Sequence, residues 1–468
     1  MRAVTGSNED REQRVADRLP TKTAPSVRRR REQASGRPGR LTLSAVVLAL
    51  LPACGGLWRP FLEPLICDSS GTRCVEGGAE RTRFVPENGI DPAWFGEAQG
   101  VLSPAQDLVI NTDEGTIVTA ADKQPISDVV YRQIAPINCG DGWMVGIGVF
   151  SFLRIDIPDG IRVRVTGSRA LALIAPGAIK IEGLIDARGS QAECSDHRCA
   201  GPGGFAGSYV RLVTQRGEGP GGGGPGYGAG GPNNEGGGGG GGGCGHGGRG
   251  GDTGDGGPIG TAGSAYLTSS PVRLCGGSGG GSGGPGSQTG DTGQRGGGGG
   301  GAVQIVSQSR VVVSSSTTAP SGIQVGGGGG QGDRGLNFND GGGGGGGGGT
   351  LLIEAPRIAI RAGAVLAANG GGGAGGINGG QMCMDGTSAL LASQPAAGGA
   401  GVRFGGAGGA GSVLAGADAG GSPGDGSAGG GGGVGRIHLN SLSGDLVLEG
   451  ELSPAAGECN STGLITPL

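Results

Sequence analysis

Ten cysteines are the residues of this sequence whose spacing most directly suggests chemistry. Cys67 and Cys74 enclose six residues, and Cys194 and Cys199 enclose four, so each pair could close a local disulfide loop. Cys194, His197 and Cys199 also offer three ligands to zinc, but a structural zinc site needs four ligands and no second half-site follows. We therefore predict disulfides at these four cysteines and no metal site.

Side chains for acid–base catalysis are scattered along the sequence. Asp186 ends a predicted strand, but two segments that resemble its surroundings place Ala367 and Ser453 at the equivalent position. The three histidines lie far apart, and no lysine follows a glycine loop in the way a phosphate-binding loop requires. The sequence therefore predicts no catalytic residue and no cofactor.

Residues 41–53 form a 13-residue apolar stretch that follows a basic run and is followed by Cys54. A membrane-spanning helix needs about 20 apolar residues, whereas a stretch of roughly 7–15 with basic flanks is typical of a signal peptide. Leu51, Ala53 and Cys54 resemble the bacterial lipobox, from which Pro52 departs. The resemblance implies that Cys54 receives a diacylglycerol, becomes the new N-terminus and anchors the chain to the outer membrane or cell surface. An ordinary signal peptide is the alternative.

Glycine accounts for 119 of the 468 residues, and aromatic residues for 3%. Glycine brings no side chain to a core, so the side-chain core must be small for this length. The net charge is −4, and residues 1–53 carry 11 Lys or Arg against 5 Asp or Glu. Their removal leaves about −10, and an acidic exported chain argues against a nucleic-acid partner.

Four segments share one pattern of an apolar strand, a break, a second strand and a third short strand. They begin at Ala170, Ala302, Thr350 and Arg436. Such units bury their apolar side by stacking, which predicts an all-β fold, a β-solenoid of the parallel β-helix type interrupted by long glycine-rich loops.

The predicted organisation has ten parts. They are a disordered n-region with signal peptide (1–53), a linker with an irregular cysteine-containing segment (54–100), an N-terminal β part (101–190), coils at 302–325, 350–369 and 436–454, glycine-rich insertions at 191–301, 326–349 and 370–435, and a C-terminal tail (455–468).

The glycine-rich insertions carry too little apolar surface to offset the entropy of ordering, so we expect flexible loops. The alternative is a packed bundle of polyproline II strands, in which only glycine permits close approach. Residues 251–263 keep glycine at every third position, as such a bundle would need.

The lipobox, residues 84–91 and the glycine-interrupted coils together resemble predicted glycine-rich surface lipoproteins of myxobacteria. The resemblance implies location more than activity. With no catalytic constellation in the sequence, we predict a surface-anchored protein with a structural or adhesive role, whose partners are the membrane and envelope polysaccharide or other surface proteins. The alternative is a carbohydrate-active β-helix enzyme, a polysaccharide lyase or hydrolase, or a carbohydrate-binding module.

Overall fold

A computed structural model of the chain describes residues 65–67, 74–76, 81–191, 199–208, 215–227, 235–253, 259–286, 293–316, 319–332, 340–376, 382–420, 427–442, 444–455 and 457–468. All of them belong to one unit, Leu62–Leu468. The described part contains 22 strands and one short 3-10 helix, Pro92–Glu97. The predicted all-β class is confirmed.

Three sheets contain every described strand except β1 (Leu65–Cys67) and β2 (Cys74–Glu76), which pair antiparallel with each other. Sheet 1 consists, in spatial order, of β22 (Asn460–Leu464), β19 (Arg436–Ser441), β16 (Thr350–Ala355), β13 (Ala302–Ser307), β10 (Ala170–Ala175), β7 (Trp143–Ser151) and β6 (Val130–Gly140). Sheet 2 consists of β20 (Leu446–Leu448), β17 (Arg357–Ile360), β14 (Arg310–Val313), β11 (Ile179–Ile181), β8 (Arg154–Ile157) and β3 (Val101–Leu102). Sheet 3 consists of β21 (Glu451–Ser453), β18 (Val365–Ala367), β15 (Gly322–Gln324), β12 (Leu184–Asp186), β9 (Arg162–Thr166), β4 (Leu108–Asn111) and β5 (Thr116–Thr119).

The parallel pairing follows a three-strand repeat, because each strand from β7 to β19 pairs with the strand three places later. Only the β4–β5 and β6–β7 pairs of these sheets are antiparallel among the described strands. The four segments identified in the sequence lie side by side, with their first residues aligned in sheet 1. One further set, β7 to β9, precedes them and pairs with the first copy.

Alternation along the strands places one set of side chains between the three sheets. In β13, Val303 and Ile305 belong to the shared core, whereas Gln304 lies on the outer face of sheet 1. Ile353 and Leu439 stack on Ile305 in the same core. Burial of each such side chain stabilises the fold by about 1.5–3 kcal/mol relative to exposure.

All three glycine-rich insertions leave sheet 3 and return to sheet 1. They connect β12 to β13, β15 to β16, and β18 to β19. Stacked repeats tolerate insertions at one corner because the next coil resumes in the same register. We call the described glycine-rich segments of residues 187–301, 326–349 and 368–435 the glycine bundle.

Backbone hydrogen bonds in the glycine bundle repeat every three residues. Within residues 341–349, the N–H groups of 341, 344 and 347 donate to one neighbouring segment, at the carbonyls of 284, 281 and 278. Those of 342, 345 and 348 donate to a second segment, at 427, 430 and 433. Those of 343, 346 and 349 donate to a third, at 331, 328 and 325. Three more segments donate to the carbonyls of this one, through residues 238 and 241, 297 and 300, and 371 and 374. A helix with three residues per turn and no internal hydrogen bonds is a polyproline II helix, here with six neighbours.

Glycine is required in this bundle for space rather than for an unusual backbone conformation. A Cβ atom added at Gly344 would lie less than 3.0 Å from the backbone of Gly239. Gly344 does not have a positive φ. Any side chain would therefore push the neighbouring segments apart and break their hydrogen bonds.

The expectation of flexible loops is wrong for the described glycine segments, which are buried and hydrogen-bonded. The alternative, a packed polyproline II bundle, agrees with the structure. Backbone N–H and C=O groups that find partners in neighbouring segments replace the missing side-chain core. Composition did not reveal this because it counts side chains and not backbone partners.

The outer face of sheet 1 is covered by chain from both ends of the unit. Phe84, Ile90 and Phe95 pack against it from the N-terminal side. Residues 455–468, predicted as a tail, contain β22, which extends sheet 1 beside β19. The tail prediction is corrected accordingly, because Ile465 is buried in the same outer cluster.

Candidate functional site

A groove of about 520 Å³ with clustered charge lies on the outer face of sheet 3. Its described lining includes three arginines and one aspartate, together with short polar side chains. The lining residues are Arg162, Arg164, Val165, Asp186, Arg188, Gly189, Ser190, Gln191 and Ser388. We call it the arginine groove.

Strand alternation positions the arginines of β9. Val163 and Val165 point into the core, so Arg162 and Arg164 project outward on the same face. The register of sheet 3 places Asp186 of β12 beside Arg164. The pattern Ile161 to Val165 in the sequence therefore already encoded two outward arginines, but a single strand could not show what would lie next to them.

Asp186 is 3% exposed and holds two of the three guanidinium groups. Its Oδ2 accepts a hydrogen bond from Arg162 Nη2 and lies 3.4 Å from Arg188 Nε. Its Oδ1 accepts from the Arg188 backbone N–H at 3.3 Å. Arg164 is exposed and has no ion-pair partner in the described part of the chain.

A segment carried by the glycine bundle closes one side of the groove. The carbonyl of Ala389 accepts from Gln324 Nε2 at 2.6 Å, and the carbonyl of Leu390 accepts from Asn369 Nδ2 at 3.0 Å. This segment therefore covers Gln324 of β15 and Asn369 just after β18, and its Ala389 carbonyl also accepts from Arg188 Nη1 at 3.5 Å, just after β12. The groove opens where that cover ends, at Ser388.

The groove's chemistry is that of anion binding. Guanidinium groups present donors in a planar fork that matches a carboxylate. Hydrolysis by two carboxylates needs a pair of acids about 5–10 Å apart, and the described lining holds Asp186 alone.

A second cluster of titratable groups lies on the outer face of sheet 1. Glu354 accepts from Gln304 Nε2 at 2.6 Å and from the Glu87 backbone N–H at 3.2 Å. Burial raises the pKa of Glu354 to about 7, and the Glu87 carboxylate adds to that shift while the hydrogen bonds oppose it. Glu87 in turn accepts from the Val272 N–H at 3.1 Å and from Asn440 Nδ2 at 3.3 Å. These contacts fasten outer segments to the sheet, so we assign the carboxyl pair a structural role.

A smaller cavity of about 160 Å³ lies beside this cluster and is lined by Arg436, Tyr266 and the Cys139–Cys275 disulfide, among other residues. Arg436 is buried, and its Nη1 donates to the carbonyls of Leu267 and Ser269. Its guanidinium thus ties residues 267–269 to β19.

The structure describes two long-range disulfides, Cys139–Cys275 and Cys244–Cys459. Both attach the glycine bundle to an edge of sheet 1, Cys139 within β6 and Cys459 directly before β22. Their partners lie 136 and 215 residues apart in sequence, which is why local spacing could not identify them. Two disulfides indicate an oxidising, exported environment.

The predicted local disulfides stay predictions. Cys67 and Cys74 are register partners in the β1–β2 pair, and their side chains lie outside the described atoms. Cys199 is disulfide-bonded and buried, and Cys194 lies outside the described residues. Cys54, predicted to be lipidated, also lies outside them.

Two searches of the described residues bear on other kinds of site. They contain no helix long and apolar enough to cross a membrane. No group of three or more His, Cys, Asp or Glu side chains suited to a metal ion occurs among them. Compared with known proteins, the chain matches no family model, no curated protein and no solved structure.

Proposed function

We propose that this chain is an exported lipoprotein, anchored to the outer membrane or cell surface through lipid on Cys54, with a structural or adhesive role in the envelope or extracellular matrix. The observation that carries the proposal is the extensive cross-linking of the fold by hydrogen bonds and disulfides. Parallel strands stack in three sheets, an ordered glycine bundle leaves one corner, and two disulfides join the bundle to the flanks of sheet 1.

We also propose that the three sheets form a β-solenoid. The order sheet 1, sheet 2, sheet 3 recurs five times between β7 and β21, and the apolar side chains of all three sheets share one core. Each repeat then buries its apolar face against the next. Such a stack presents the outer face of each sheet as a regular surface, which agrees with an envelope or matrix protein.

The arginine groove favours binding over hydrolysis as the activity of this surface. Its described lining offers cations and polar hydrogen-bonding groups, and the single carboxylate is engaged by two arginines. A carbohydrate-binding surface therefore has better support than a hydrolase built on a pair of acids.

The anchoring is tested by Cys54→Ser in the native cells, with Pro52→Ala as the matched control that keeps the cysteine. We expect the unaltered chain and Pro52→Ala to incorporate a labelled fatty acid and to fractionate with membranes. Cys54→Ser loses both properties and weakens cell–surface or cell–cell adhesion. An unaltered chain that carries no lipid label, or adhesion unchanged when the whole chain is deleted, would overturn the proposal.

A further inference from the structure

We propose that the arginine groove binds the carboxylate groups of an acidic polysaccharide, a polymer that contains uronic acid residues. The inference rests on the proposed function for its setting, an extracellular surface. It names the partner class of that surface.

The charge of the groove is opposite to that of the chain. The described lining contains Arg162, Arg164 and Arg188 against Asp186, whereas the whole chain has a net charge of −4. A local cationic surface on an acidic protein concentrates anionic ligands at that place. The ligand class that fits is therefore an anion.

The three arginines have different tasks because Asp186 engages two of them. Arg162 and Arg188 are fixed by that carboxylate, so their remaining donors are held in place before a ligand arrives. Arg164 has no ion pair in the described residues and stands exposed, about 7 Å from Arg162 along the strand. Arg164 is therefore the guanidinium that a ligand carboxylate engages most directly, as a two-pronged partner.

The shape and the other lining groups favour a sugar over a small ion. A volume of about 520 Å³ holds more than one small anion and lies in the range of roughly 300–1,000 Å³ typical of ligand sites. Ser190, Gln191 and Ser388 line the same space. Ser190 Oγ donates to the Cys199 carbonyl at 3.2 Å and Gln191 Nε2 to the Gly386 carbonyl at 3.3 Å, so the wall beside the arginines is polar and held in place, as suits a hydroxyl-rich sugar ring.

A carboxylated polysaccharide fits better than nucleic acid. DNA carries about one negative charge per 1.7 Å of its axis, and the net negative chain repels so dense a polyanion outside the groove. A uronate polymer has lower charge density and places hydroxyl groups beside each carboxylate. The groove's mixture of arginines and neutral polar groups corresponds to that pattern.

The test measures binding of the purified full chain to polygalacturonate, to the same polymer fully methyl-esterified, and to double-stranded DNA of similar length. We expect polygalacturonate to bind, and both the esterified polymer and DNA to bind at least about tenfold more weakly, because neutral esters offer no anionic partner to the arginine fork. Equal binding of the esterified polymer, or tighter binding of DNA, would overturn the inference.

Arg164→Gln is the informative variant, and Arg357→Gln is its matched control. Arg357 is an exposed arginine of sheet 2, paired with Asp445 at 3.1 Å, so its loss changes the net charge equally. We expect Arg164→Gln to weaken polygalacturonate binding about tenfold or more, as the loss of a charge-assisted contact predicts, and Arg357→Gln to leave it within about twofold. Arg164→Lys should bind more weakly than the unaltered chain, because lysine lacks the fork.

Equal weakening by Arg164→Gln and Arg357→Gln would show that net charge and not the groove governs binding, and would overturn the inference. Circular dichroism of each variant checks that the fold is retained. Binding in solution does not need Cys54, so the two proposals fail separately. Absent polysaccharide binding with normal anchoring removes the ligand class alone, and normal binding without a lipid anchor removes the anchoring alone.

Discussion

The stacked sheets and the glycine bundle both have a tightly packed interior, but they fill it in opposite ways. Between the sheets, branched apolar side chains fill the space, and Ile353 lies between Ile305 and Leu439 in three successive strands. At the glycine runs of the bundle no side chains intervene, and the backbones themselves approach until carbonyl and N–H groups of different segments bond. Side-chain volume therefore stabilises the core between the sheets and would destabilise the glycine bundle.

The two regions are continuous at their edges. Ala187 donates from its N–H to Gln324 O, and Gly189 two residues later donates to Gly326 O. At the other side, Thr350 of β16 follows directly on residues 341–349 of the bundle. The register of the sheets thus sets the register of the first and last glycine segments, which explains how a sequence without side-chain information adopts one arrangement.

The largest effect is expected in the side-chain core. Ile353→Ala should lower the free energy of unfolding by about 2–5 kcal/mol, because it leaves a cavity between the sheets. Ile353→Val, the matched control, should cost about 0.5–1.5 kcal/mol. Denaturant titration followed by circular dichroism measures both, and an alanine variant no less stable than the valine variant would contradict a side-chain-packed core.

A substitution that adds volume should damage the bundle instead. Gly344→Ala should cost about 3 kcal/mol, at the upper end of overpacking effects, because its Cβ meets neighbouring backbone that has no flexible side chain to yield. Gly420→Ala is the control, since a Cβ there lies 3.6 Å from Phe404 O, an ordinary contact. It should change the free energy of unfolding by less than about 0.5 kcal/mol. Equal stability of the two variants would remove the distinction between the regions.

A third effect depends on pH and concerns the outer face of sheet 1. The pKa of Glu354 is raised by burial to about 7, above its ordinary value of 4.5, so the folded state holds this proton more tightly than the unfolded state. Its contribution to stability is full below about pH 4.5 and is lost as the pH rises through about 7, amounting to about 3–4 kcal/mol at roughly 1.4 kcal/mol per pKa unit.

Glu354→Gln should flatten the fall in stability over that pH interval, measured as the difference between the unfolding free energies of the two proteins at pH 4.5 and pH 8. His438 acts in the opposite direction, because burial and Arg436 lower its pKa and its contribution is lost as the pH falls. The comparison of Glu354→Gln with the unaltered protein cancels the contribution of His438, which both proteins share. Parallel pH profiles for the two proteins would exclude the assigned role of Glu354.

Much of the sheet region could be predicted from the sequence because its periodicity is carried by side chains. The four segments that begin at Ala170, Ala302, Thr350 and Arg436 lie in register, and Ala367 and Ser453 occupy the column of Asp186. The set β7 to β9 falls within the predicted N-terminal β part (101–190) and is not among the predicted copies, because its turns at residues 152–153 and 158–161 differ from the breaks of the other copies.

The glycine bundle and the arginine groove needed three-dimensional information. A run of glycines has no side-chain period, so the threefold pattern of its hydrogen bonds is invisible in the sequence of residues 341–349. The groove combines β9 with the end of β12 and with Ser388, about 200 residues away along the chain. Arg162 and Arg164 had a local signal, two outward cations on one strand, but their relation to Asp186 depends on register.

Hydrogen exchange of the glycine segments tests the central claim most directly. The amides of residues 236–243 and 341–349 donate to neighbouring segments, so they should exchange as slowly as those of β13 and β16. Peptide-level exchange by mass spectrometry at neutral pH reports both regions in one experiment. Protection in both confirms an ordered bundle, whereas glycine amides that exchange at the rate of an unstructured chain beside protected strands would contradict it.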